Sequence, residues 1–220
     1  MPRFAFSQID VFTARPGYGN PLALVHGAAG LSGDEMQHFA HWTNLSETAF
    51  LLPPTAPEAD YQVRIFTPKS ELPFAGHPTL GSCHGWLAAG GVPKGEFIVQ
   101  QCQAGLVKIR RDGRRLAFAA PPAAQSDIAP QMQARIARIL GIEAADILAT
   151  RSLSATRPGW TGVLLKDRAA VLALRPDFAA LGEMELGVVA PHGADGVDFE
   201  VRGFVNDVGG EDPVLSLIHI

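Results

Sequence analysis

Charge is scarce in this chain. Only 18% of its 220 residues are Asp, Glu, Lys or Arg, below the usual quarter of a soluble domain. The formal net charge is −4, which argues against a nucleic acid partner, whose phosphates select basic surfaces. Long hydrophobic runs are missing too. No stretch reaches the ~18 apolar residues that a spanning helix requires, so no membrane partner is expected. The N-terminal stretch from Met1 to Ser7 has no signal-peptide apolar core, because Gln8 and Asp10 interrupt it. The only cysteines, Cys83 and Cys102, are too few for a disulfide framework. There is no Gly-rich phosphate loop, no G-x-S-x-G and no dinucleotide fingerprint. These absences leave a soluble, cytoplasmic globular protein whose 47% apolar content can fill a sizeable core.

The most informative stretch runs from Arg64 to Trp86. Tyr61, Val63 and Ile65 alternate with polar neighbours and read as a strand. Leu80, Cys83 and Leu87 fall on one helical face. Between them lies Gly76-His77-Pro78-Thr79. Proline suits the first helical position, which makes His77 the expected N-cap and Gly76 the turn into it. The amides from Thr79 on then face outward at the positive end of the helix dipole, a site for a carboxylate or phosphate.

Around that centre, strands are expected over Phe4–Thr13 and Leu22–Val25. A capping box, Ser32 with Glu35, opens a helix through Met36, Phe39 and Ala40. The strand ending at Leu52 precedes a Pro53, Pro54 and Pro57 loop. Gly90-Gly91 stops the central helix. Further strands are expected at Glu96–Gln103, Leu106–Arg111 and Leu116–Ala120, with Asp112-Gly113 as a hairpin turn. Pro121-Pro122-Ala123-Ala124 reads as a linker, placing domains at 1–120 and 121–220.

The second half begins with a helix from Gln131 to Leu140, with Met132, Ile136, Ile139 and Leu140 inward and Gly141 as its stop. Short helices at Arg168–Leu174 and Asp177–Leu181 are split by Pro176. Strands are expected at Val163–Leu165, Gly187–Val189 and Asp198–Val205. Asp212-Pro213 reads as a second N-cap and proline, echoing His77-Pro78. Each comes after a strand ending in an aromatic, Phe66 and Phe204. The echo points to two similar halves, each a curved sheet around one central helix.

Two side chains stand out chemically. Glu47 lies before the apolar Phe50-Leu51-Leu52. By composition it reads as a surface glutamate at a strand end. In poorly solvated surroundings, its carboxyl would instead be suited to shuttling protons near neutrality. His77 reads either as a helix cap or as a donor or acid at the rim of the anion site. His77 and His84 are seven apart, the wrong spacing for a zinc pair, so no metal is expected. Cys83 and Cys102 fall on apolar faces and read as core residues.

Several motifs in fixed order resemble the phenazine-biosynthesis-like (PhzF) family. They are Asp10-Val11-Phe12-Thr13 with Gly19-Asn20-Pro21-Leu22-Ala23, Asn44 to Phe50, Arg64 to Pro68 with Gly76-His77-Pro78-Thr79, and Glu211-Asp212-Pro213-Val214. The resemblance implies a diaminopimelate-epimerase-like α/β (α+β) fold of two similar domains with the active site in the cleft between them. It implies a cofactor-independent isomerase shifting a proton on a small cyclic or unsaturated carboxylic acid. Glu47 would be the general acid/base, and His77 and Asp212 would position substrate and assist proton transfer. Ser46, Gly76, Pro78 and Thr79 would contact substrate. A homodimer is implied for full-length members. The epimerases of this fold use two cysteines as bases, and neither cysteine here lies in the corresponding motifs. One departure stands out: Leu215-Ser216-Leu217 replaces the family's Thr-Gly-Ser, and the sequence runs only to Ile220. The second domain is therefore expected to be incomplete, and a non-catalytic small-acid binder is the alternative.

Overall fold

Alternation of apolar and polar residues builds most of the strands, and glycines and prolines set their limits. The computed structural model describes residues 3–113, 115–119, 124–154, 159–194, 197–206 and 210–212. Two compact units, 1–120 and 121–220, divide the chain.

The first unit holds an eight-stranded sheet ordered β1 (Ala5–Val11), β2 (Asn20–His26), β3 (Thr48–Leu52), β4 (Tyr61–Phe66), β6 (Ile98–Cys102), β7 (Gly105–Asp112) and β8 (Arg115–Phe118), with β5 (Glu71–Leu72) paired to β4. Pairs β2–β3 and β4–β6 are parallel and the rest antiparallel. Helix α2 (Gly76–Ala88) packs against β1, β2, β3, β4, β6 and β8. A sheet that touches one helix with both its first and last strands is curled around it. Val11, Leu22, Leu24, Tyr61, Val63, Ile65, Cys83 and Ile109 fill the space between.

Two glycines let α2 lie this close. A Cβ on Gly81 would come within 2.6 Å of Leu22 and 2.8 Å of Val11, and one on Gly85 would collide with Leu24. The outer face of the sheet is covered by α1 (Gly33–Thr43), whose Met36 and Ala40 pack on Val25, Phe50 and Phe66. The Ser32–Glu35 capping box forms on both sides.

The second unit is a six-stranded sheet ordered β14 (Gly210–Asp212), β13 (Val197–Val205), β12 (Glu185–Ala194), β11 (Trp160–Leu164), β10 (Ala149–Ser154) and β9 (Ala124–Ser126). Helices α3 (Pro130–Leu140), α4 (Arg168–Ala173) and α5 (Phe178–Leu181) share its core with Val163, Leu186, Val188 and Phe204. Gly141 ends α3 at a φ of 72°. Met132 sits in the first turn of α3 and is 37% exposed, unlike Ile136, Ile139 and Leu140, which are buried. The expected central helix of this unit would start after Pro213 and lies outside the described residues.

Two expectations need correction. Helix α2 begins earlier than the proline rule suggests: Ala75 is its N-cap, Gly76 its first residue and His77 its second. The first three helical amides bind no helical carbonyl, so Pro78 is tolerated as the third residue as well as the first. The Thr79 amide does not point outward; it donates to the Ala75 carbonyl at 3.2 Å. Asp212 ends β14 and pairs with Gly203; the helix it was expected to cap lies outside the described residues. Four strands, β5, β9, β10 and β14, have no clear signal in the sequence pattern, and β9 begins at Ala124, the last residue of the expected linker.

Candidate active site

Three segments of the first unit converge on one imidazole. The turn between α1 and β3 presents Glu47. The start of α2 presents His77. The first residues of β2 present the Pro21 backbone. Glu47 Oε2 lies 3.5 Å from His77 Nδ1, with side-chain exposures of 16% and 1%.

The turn that delivers Glu47 is fixed at both ends. Asn44 caps α1 in the left-handed region at φ 54°, a conformation that asparagine tolerates better than most residues. Thr48, buried at the start of β3, has its hydroxyl 2.9 Å from that of Thr43. Glu47 is thereby held at the edge of the core while still reaching solvent.

His77 is buried. Burial pushes its pKa down from 6.5 to about 4, because a charged imidazole loses its hydration there. A hydrogen bond to the Pro21 carbonyl pulls the other way and is the smaller effect. The imidazole is thus neutral at pH 7, and its contact with Glu47 is a polar contact rather than an ion pair. An N–H donated to the Pro21 carbonyl fixes the ring's orientation and its tautomer.

Strain accumulates beside this point. Phe12, just after β1, holds a φ of 64°, an outlier for a bulky side chain. A Cβ on Gly19 would collide with the Val11 carbonyl oxygen. Asn20, which begins β2, is fully buried. The Gly19-Asn20-Pro21 motif stands out in the sequence, yet nothing there assigns it a part in the site. A carbonyl partner has no side-chain signature; the glycine that admits the close approach was the available signal.

The other expected residues divide. Ser46 and Gly76 are half-buried and adjoin Glu47 and His77 in sequence. Pro78 and Thr79 are buried, and the Thr79 hydroxyl accepts from Gln100 Nε2 at 3.0 Å. Gln100 Oε1 in turn accepts from the Tyr61 hydroxyl. Thr79 therefore anchors α2 in the core. Asp212 belongs to the second unit.

The thiols are core groups. Cys83 is fully buried and burial pushes its pKa up to about 12; Cys102 is raised for the same reason. Among the described residues no three His, Cys, Asp or Glu side chains form a cluster that could hold a metal, and no helix is long and apolar enough to cross a membrane. A cavity of 970 Å³ lies elsewhere, between β1 and α1, lined by Phe4, Phe6, Leu31, Phe39 and Trp42 among others. It is largely apolar and includes neither Glu47 nor His77.

Residues 9–215 match the family model described as phenazine biosynthesis-like protein. The chain belongs to that family. It is 38% identical to antisense-enhancing sequence 1 of Schizosaccharomyces pombe, over 84% of this chain and 65% of the relative. It is 34% identical to the trans-2,3-dihydro-3-hydroxyanthranilate isomerase of Pseudomonas aeruginosa, over 79% of this chain and 61% of the relative. The chain thus spans less than two thirds of these relatives. Among solved structures, a PhzF-family protein of Bacillus anthracis superposes with a TM-score of 0.82 at 24% identity, covering 96% of this chain and 75% of that one. At that identity the likeness speaks for the fold, which is diaminopimelate-epimerase-like.

Proposed function

We propose that this protein is an isomerase that moves a proton between carbons of a small cyclic or unsaturated carboxylic acid, without a cofactor. The observation that carries this reading is the 3.5 Å contact between Glu47 Oε2 and the buried, neutral His77. Both residues lie in motifs that resemble those of the family. Relatives named as isomerases support the reaction class.

A Glu47 carboxylate oxygen takes a proton from an sp³ carbon of the substrate. The C–H electron pair shifts into the neighbouring unsaturation, and Glu47 returns the proton to a second carbon. One C–H bond breaks and one forms, and the substrate's oxidation level is unchanged. No redox partner is required. His77, neutral and oriented by Pro21, serves as a hydrogen-bond donor or acceptor to the reacting system without adding a buried charge. Gly76 and His77 supply backbone amides at the N-terminal end of α2, where a substrate carboxylate gains from the helix dipole. Ser46 lines the same side. Asp212 is assigned substrate positioning by the family pattern alone.

The test is solution exchange. Trans-2,3-dihydro-3-hydroxyanthranilate and a panel of cyclic unsaturated acids are incubated with the protein in D₂O and followed by NMR. Deuterium entering one specific carbon, and none with Glu47→Gln, is the expected result. A binding shift without exchange for every acid would favour the non-catalytic binder.

A further inference from the structure

The two units carry the same three-residue device, and it involves neither Glu47 nor His77. In the first, Arg64 binds Glu71 through two parallel hydrogen bonds, Nε to Oε1 and Nη2 to Oε2, each 2.7 Å. The same guanidinium lies 5.1 Å from the Phe66 ring centroid. In the second, Arg202 binds Glu211 in the same pattern, at 2.6 Å and 2.7 Å, and lies 5.0 Å from the Phe204 ring.

The strand registers match as well. Phe66 pairs with Glu71 and Ile65 with Leu72. Phe204 pairs with Glu211 and Gly203 with Asp212. Arginine, the aromatic two residues later and the glutamate opposite that aromatic are therefore equivalent in both halves. The connecting turn of the second unit is longer, with six residues between Phe204 and Glu211 against four between Phe66 and Glu71. Pro73 and Pro213 then come at matching places in the sequence.

Each clamp leads directly into residues that the proposed function uses. Glu71 fixes the short β5 strand, and five residues later the chain starts α2 with Gly76 and His77. Glu211 fixes β14, which ends on Asp212. Each arginine also lies against a neighbouring helix. A Cβ on Gly33 at the start of α1 would meet Arg64 Nη2 at 3.2 Å. Arg202 Nη1 donates to the Val171 and Leu174 carbonyls at the end of α4. A bidentate pair fixes direction as well as distance.

We propose that Glu71 and Glu211 are positioning residues of one kind: each locks, through its arginine, the hairpin that delivers the next site residues, Gly76-His77 in one half and Asp212 in the other. The inference rests on the proposed function for calling those residues a site. The pairs are partly exposed, with side-chain accessibilities of 29% and 27% for Arg64 and Glu71, and 16% and 43% for Arg202 and Glu211. Solvent at both partners weakens even a bidentate pair, so the loss of one should shift the melt by no more than a few degrees while it registers directly at the site.

The experiment compares the full chain with Glu71→Gln and with the charge-swapped double variant R64E/E71R. Three quantities are read: melting temperature, the ring resonances and titration midpoint of His77 in ¹³C-histidine-labelled protein, and turnover of trans-2,3-dihydro-3-hydroxyanthranilate. In Glu71→Gln the melt stays within a few degrees of the parent, while the His77 midpoint rises toward 6.5 as water reaches a loosened helix start. Turnover falls roughly 10- to 10²-fold, the cost of misplacing a reacting group. The swapped pair restores most of both. If Glu71→Gln does not fold, Glu71→Asp keeps the charge, loses the bidentate reach and carries the same readouts. Glu211→Gln is read through the Asp212 carboxyl carbon resonance in the same way.

An unchanged His77 resonance and midpoint in a folded Glu71→Gln protein overturns the inference, as does a swapped pair no better than the single variant. The His77 readout needs no turnover. A chain inert toward every acid, yet showing the His77 response, would sink the proposed reaction and leave the positioning role standing.

Discussion

Oε2 of Glu47 lies 3.5 Å from Nδ1 of a His77 that is 1% exposed, while Glu47 itself still meets solvent at 16%. The pair is thus asymmetric. One member is sealed, neutral and hydrogen-bonded to the Pro21 backbone; the other can reach a bound molecule. In the proposed reaction the proton carrier has to be the accessible member, which is why we give that role to Glu47 and the supporting one to His77.

Glu47→Gln keeps the shape of the side chain and removes its ability to take a proton. We expect a loss of 10²–10⁴-fold in turnover, the usual contribution of a general acid or base, with an unchanged melt and circular dichroism spectrum. Turnover by the pure variant equal to the parent's would remove Glu47 from the chemistry.

His77 makes a pH prediction. Its folded-state pKa, about 4, lies below the 6.5 of an unfolded histidine. Between those values the unfolded chain binds the proton and the folded one does not, so stability falls as pH drops from 6.5 toward 4. The full difference corresponds to roughly 3 kcal/mol for this residue. Urea unfolding at pH 7 and pH 4.5 should show a decline that His77→Gln largely abolishes. The acid limb of kcat/KM arising from His77 should likewise sit near pH 4, well below the limb of an ordinary histidine.

Much of the first unit was legible because its signals are local. The Ser32–Glu35 box, the alternation in β4 and the Asp112-Gly113 turn each depend on residues a few positions apart. The start of α2 was misplaced by two residues, because proline is acceptable through the whole first turn and its presence does not say which position it holds. The echo between His77-Pro78 and Asp212-Pro213 also misled. Strand register equates Glu71 with Glu211 and so Leu72 with Asp212; the two prolines after them, Pro73 and Pro213, are the true counterparts. Register is set by pairing across the sheet and turn length, and neither is readable from a dipeptide. The Glu47–His77 contact joins residues thirty positions apart, and only the resemblance had placed them together. The Pro21 carbonyl had no signal of its own.

The thiols offer a control. With Cys83 fully buried and its pKa pushed up to about 12, it should resist alkylation in the native protein at pH 8 and react only on unfolding. Cys83→Ala should cost roughly 1 kcal/mol, as expected for trimming a buried side chain, with turnover per folded molecule unchanged. Selective loss of turnover in a normally folded variant would bring back a thiol base.

The last prediction concerns Gly85, where two general rules oppose each other. Glycine inside a helix is worse than alanine by about 1 kcal/mol, so Gly85→Ala should stabilise an isolated α2. In the protein the added methyl would collide with Leu24 and come within 2.8 Å of Ile9. Leu24 is fully buried and packed among the core side chains between the sheet and α2, leaving its methyl groups little room to move. Overpacking of that kind costs typically 1–3 kcal/mol, which outweighs the helix gain, so Gly85→Ala should lower the melting temperature. Gly81→Ala, facing Leu22 and Val11, should do the same. The consequence for function is sharper at Gly81, which lies one turn from His77 on the same helix: pushing α2 off the sheet there should also disturb the 3.5 Å contact with Glu47. Melts of the two variants, with the His77 ring resonances recorded for each, check both claims. A Gly85→Ala protein as stable as the parent or more so would mean that the sheet yields to the helix, and that close approach at Gly85 does not hold α2 in place.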